Sequence, residues 1–173
     1  QLATVLERQL GRVEEAVERY AEVLELAADH DPTIEALENV LAAHRAPDAF
    51  SVRVRTCDIL EPVYVGRGDW RSEVSLCRVR LGDAATPAER VELHTRIARL
   101  SETSGQDLRT AFAEYGSAFR EAYGEPALLK ELVRLAEALD AWAALGDVFS
   151  EGLNGDAALD LEPVRPGRQL AAR

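Results

Sequence analysis

The chain has no methionine, a single lysine, two cysteines and an aromatic share of 6% in 173 residues. Each shortage removes a class of protein. Cys57 and Cys77 are too few for a disulfide framework, and no cysteine or histidine group has zinc-finger spacing. Each sits within an apolar helical face and reads as a buried thiol acting as a small hydrophobe, a pairing between them being allowed by their number and supported by nothing else. No apolar run approaches the roughly 18 residues of a membrane span and no secretory signal is visible; a targeting segment of a longer parent would lie outside this stretch, so the compartment is left unknown, with the cytoplasm weakly favoured. Lysine and arginine number 20 against 31 aspartates and glutamates, a net charge of -11. Tracking phosphates needs a basic surface, so a nucleic-acid role is excluded. All basic residues but Lys130 are arginine, which with the abundant alanine points to a bacterial genome rich in G and C.

Strand signals are also scarce. Only Phe50-Ser51-Val52-Arg53-Val54-Arg55 alternates, and it reads equally well as one side of a helix. The missing methionine includes the first position: Gln1 enters with Leu2, Val5, Leu6 and Leu10 already at helical spacing, so the chain is expected to be a piece of a longer one, cut within a repeat.

What is present is helical periodicity. From Arg12 to Ala28 the apolar positions Val13, Ala16, Val17, Tyr20, Val23, Leu24 and Ala27 fall at steps of three and four, opposite a glutamate face. Pro32 and Thr33 open the next helix, which ends near Arg45. A longer segment, 48–65, carries Phe50, Val54, Cys57, Ile59, Leu60, Val63 and Tyr64 as candidates for burial, with Pro62 expected to kink or split it. Further helices are expected over 70–81, 88–103, 107–123, 127–139 and 142–152. Thr86 is placed as an N-cap before Pro87, and Leu128, Leu129, Leu132, Val133, Leu135 and Leu139 face inward. With the segment before Gly11 this makes nine helices. Beyond Leu153, Asn154-Gly155-Asp156, Pro163, Pro166 and Gly167 read as a linker or the start of a further repeat, loosely ordered.

Two of the helices share one frame. Ala16, Tyr20 and Leu24 recur as Ala111, Tyr115 and Phe119, 95 residues later. Two others open on Gly68-Asp69-Trp70 and Leu139-Asp140-Ala141-Trp142. The last large apolar residues of the four helices, Leu24, Leu81, Phe119 and Leu153, leave gaps of 57, 38 and 34 residues, so the first gap has room for an extra helix.

These residues resemble the tetratricopeptide repeat, a pair of antiparallel helices of about 34 residues stacked into a superhelix. Gly11, Ala16, Tyr20, Val23 and Leu24, then Ala111, Tyr115, Ala118 and Phe119, fit its second helix. Gly68-Asp69-Trp70 looks like its turn, and Leu60 and Tyr64 like its first-helix positions. The copies are degenerate: Glu73 stands where the family has alanine and Cys77 where it has an aromatic. The resemblance implies an all-α solenoid of about four helix pairs over residues 1–153, with a truncated first repeat and a 154–173 tail. It also implies a concave groove on which Asp58, Arg96, Lys130, Arg134 and Glu137 would fall, three of them basic donors suited to an acidic peptide. Ordinary pairing of these cations with nearby glutamates, Glu131 and Glu137 among them, is the favoured reading of the same residues.

No catalytic constellation emerges. His30, His44 and His94 lack a partner at metal spacing and read as solvent or helix-end side chains. Asp29-His30-Asp31 is not followed by the alternating carboxylates of a calcium loop. No glycine-rich phosphate loop or Gly-x-Ser-x-Gly elbow is present. The expectation is therefore a non-catalytic interaction module, needing no cofactor or metal and binding a protein or peptide rather than nucleic acid or membrane. The alternatives are a structural spacer or a helical regulatory domain of a larger protein.

Overall fold

The computed structural model describes residues 12–159, with side chains through residue 153. The expected helix before Gly11 and the tail beyond Leu159 lie outside the described residues. Among those described are eight α-helices and no strand: α1 (Val13–Leu26), α2 (Asp31–Ala43), α3 (Phe50–Arg67), α4 (Trp70–Asp83), α5 (Pro87–Thr103), α6 (Leu108–Glu121), α7 (Pro126–Leu139) and α8 (Trp142–Leu159). A 3-10 turn, Pro47–Ala49, leads into α3. Each helix packs on its neighbours in sequence, a solenoid-like all-α stack.

The turns explain why the helices stop where they do. Gly68 ends α3 in the left-handed region at φ 64°, a conformation cheap only for glycine, and the Asp69 amide then donates to the Tyr64 carbonyl. Asp69 accepts from the Ser72 amide at 3.2 Å and its hydroxyl at 2.7 Å, and Asp107 repeats the arrangement with Thr110 at 3.0 and 2.6 Å. These bonds hold both carboxyls below their usual range, the hydroxyl contributing most. Thr86 and Glu89 form a full capping box ahead of α5. Gly105 closes that helix under the ring of Trp70, where an added Cβ would come within 2.8 Å of the indole and 2.7 Å of the Ser101 carbonyl.

The shared alanine–tyrosine frame has a packing consequence. Ala16 and Ala111 are fully buried, and the helices that carry them, α1 and α6, each touch the next helix and the one after it. A methyl at the contact lets backbones approach, while Tyr20 and Tyr115 fill the space beside it. The apolar interior divides into an N-terminal cluster from α1 to α4, a C-terminal cluster from α5 to α8, and a small seam of Val74, Cys77 and Ile97 between α4 and α5.

Four expectations need correction. Helix α3 runs unbroken through Pro62: the proline lies on the solvent side, where water can satisfy the carbonyl it leaves without a donor. The buried face of α3 also differs in part: Cys57, Leu60, Val63 and Tyr64 turn inward as expected, but Val52, Arg53 and Thr56 join them while Phe50 is 51% exposed. Two polar residues can be buried there because both are satisfied. Thr56 donates to the Val52 carbonyl at 2.7 Å, and Arg53 binds Asp83 and the carbonyls of His44 and Ala46. Finally, α8 continues to Leu159, seven residues beyond its expected end. Val23 and Val133, expected inward, are 36% and 38% exposed.

Candidate functional site

The five residues expected on a groove separate into two places. Asp58 on α3 and Arg96 on α5 line one cleft of about 340 Å³, together with Phe50, Val54 and Cys57 from α3, Arg80 and Asp83 from α4, Ala84 just beyond it, and Glu89, Glu92 and Leu93 from α5. Lys130, Arg134 and Glu137 lie on α7 and line no part of it.

Most of the expected cations are already engaged. Arg96 donates to Glu61 and, at 3.4 Å, to Glu73, so it sits where α3, α4 and α5 meet. Arg80 joins the same group through Asp58 at 2.9 Å and Glu61 at 2.7 Å. Burial opposes ionisation of Glu61, but the two guanidiniums outweigh it and its carboxyl is held below the usual range. Arg134 donates to Glu131 at 2.9 Å and across to Glu102 of α5 at 2.7 Å. Lys130 and Glu137 are exposed and have no ionic partner among the described residues.

The same device recurs along the stack. Arg90 grips Glu121 with two bonds of 2.8 Å, linking α5 to α6, and Arg55 grips Glu18 of α1 at 2.8 and 2.9 Å. Arg67 binds Asp29 and Asp31, which accounts for that acidic turn. Arginine suits this use because its planar fork meets a carboxylate at two points. His94 departs from expectation: its Nδ1 lies 2.7 Å from Glu114 Oε2 in a largely buried contact between α5 and α6. His30 and His44 do lie at helix ends, against Thr33 and the Val40 carbonyl.

Several depressed carboxyls give the fold a pH dependence of definite sign. Glu18, Glu61 and Glu121 all titrate below the ordinary 4.5. Their contribution is present above the unfolded value and is lost as pH falls through the lower folded values. Thermal melts followed by helical circular dichroism should hold a level Tm from neutral pH to about 5 and then decline toward pH 3. A level Tm down to pH 3 would contradict the ion-pair assignment.

Both cysteines are unpaired and buried, at the floor of the cleft and in the seam. Burial pushes the Cys57 thiol up to about 11 and raises that of Cys77. Since the thiolate is the reactive form, a chromogenic disulfide reagent should label neither in the native protein and both in denaturant. Rapid native labelling of either would show that the floor opens.

Comparison of the chain with protein-family models, with curated proteins and with solved structures finds no match.

Proposed function

We propose that the chain is a non-catalytic protein-interaction module built of degenerate tetratricopeptide-like helix pairs. The observation that carries this reading is the open cleft between α3 and α5, which leaves apolar side chains accessible between helices whose backbones stay apart and which the Arg96–Glu61 pair bridges. The burial of Ala16, Tyr20, Ala111 and Tyr115 in matching roles supports the repeat assignment, as does the turn at Gly68, Asp69 and Trp70. Of the three cations that favoured an acidic partner, only Lys130 has no carboxylate partner among the described residues.

The test is affinity capture with the intact protein, followed by reconstitution of any captured partner with the purified chain. The reading expects a discrete partner that binds the chain directly and is lost on altering exposed residues of the cleft or of α7. Failure to reconstitute a direct complex with any captured protein would leave the spacer reading in its place.

A further inference from the structure

The charge around the α3–α5 cleft is one-sided, despite its two arginines. Asp58, Glu61, Glu73, Asp83, Glu89 and Glu92 stand at or just behind its walls, against the guanidiniums of Arg53, Arg80 and Arg96. All three guanidiniums are bound to carboxylates within the fold, so an incoming anion would have to displace one of these partners. An incoming cation meets no such obstacle. Glu92 is exposed with no ionic partner among the described residues, and the Asp58 side chain is half exposed beyond its single bond to Arg80.

The apolar part of the cleft lies beside this rim. Phe50 stands at the start of α3 with half its surface in solvent, next to Val54 and facing Leu93 of α5. We propose that the cleft receives a cationic segment of a partner protein, with an apolar side chain of that segment seated on Phe50, Val54 and Leu93. This rests on the interaction-module reading and gives that partner a chemistry. An exposed aromatic face beside carboxylates also favours an arginine or lysine stem laid across the ring. A second copy of the chain is a poor occupant, since each copy carries a net charge of -11 and the rims would repel.

The test uses fluorescence anisotropy with a labelled amphipathic peptide of leucine and arginine, and a counterpart with glutamate for every arginine. The arginine peptide should bind at least about tenfold more tightly than its counterpart, and less tightly as salt rises. Phe50→Ser and Glu92→Lys should each weaken it about fivefold with the circular dichroism spectrum and Tm unchanged. Glu14→Lys, the same charge change at an exposed site on α1, should alter it by less than about twofold.

Equal losses from Glu92→Lys and Glu14→Lys would show only diffuse attraction to an acidic protein and would overturn the assignment. So would an indifferent Phe50→Ser, or the absence of binding by either peptide. If the glutamate peptide binds and Lys130→Glu abolishes it, the interaction-module reading stands and the cleft assignment alone falls.

Discussion

Phe119→Ala is expected to lower the unfolding free energy by about 3–5 kcal/mol and the Tm by roughly 6–15 °C. The side chain is 1% exposed and belongs to α6, the helix that touches α5, α7 and α8. Its ring meets Tyr123 at a centroid distance of 5.2 Å and 59°, and Phe149 at 5.3 Å and 72°. Alanine therefore removes transfer free energy, leaves a cavity that three surrounding helices cannot close, and strips two aromatic contacts at once. Urea titration followed by helical ellipticity measures the loss. The N-terminal and C-terminal clusters share no buried residue, so the damage should stay local: amides of α6 to α8 should lose hydrogen-exchange protection before those of α1 to α3. A loss below about 1 kcal/mol would mean that the ring is not the keystone of the C-terminal cluster.

The second large effect is expected at Arg53→Met, with a fall in Tm of roughly 10 °C. The Arg53 side chain is 7% exposed and its Asp83 partner 15%. Nε donates to one carboxylate oxygen at 2.8 Å and a terminal nitrogen serves the other, while the remaining nitrogen reaches the His44 carbonyl at 3.1 Å and that of Ala46. One side chain thus ties the end of α2 and the end of α4 to the start of α3. Methionine keeps the volume and leaves a largely buried carboxylate and two carbonyls without their donor, which costs far more than the pair contributes while intact. Pairing it with Asp83→Leu should recover much of the loss, because an apolar pair of similar size carries no uncompensated charge. If Arg53→Met and the double variant melt together, the uncompensated charge is not the cause.

How much of this was legible in the sequence differed between the backbone and the side chains. Helix positions followed from spacing, and the cap at Thr86 from its place before Pro87, because the groups that decide them lie within a few residues of one another. Arg53, by contrast, takes its partner 30 residues away, and Arg96 reaches Glu61 at a separation of 35. No local pattern marks such pairs, and for that reason Phe50 was expected inward in place of Arg53. Two departures from the repeat pattern did carry structural information. Glu73 and Cys77, standing where an alanine and an aromatic would be, mark the seam where the apolar core thins to Val74, Cys77 and Ile97 and an ion-pair group fills the space beside it. The pairing weighed against basic groove donors is what Arg134 shows with Glu131, while its second partner, Glu102, and the Glu61 partner of Arg96 lie more than 30 residues away and carry no local mark.

The claim that this chain acts by holding a partner is tested most directly by photocrosslinking in the cells that make it. A benzophenone amino acid placed at position 50 of the intact protein lies in the α3–α5 cleft, and one placed at position 14 lies at an exposed site on α1 outside that cleft. The account predicts a discrete light-dependent adduct from position 50, joined to a partner peptide rich in arginine or lysine, and none from position 14. No adduct from position 50, or the same adducts from both positions, would contradict it.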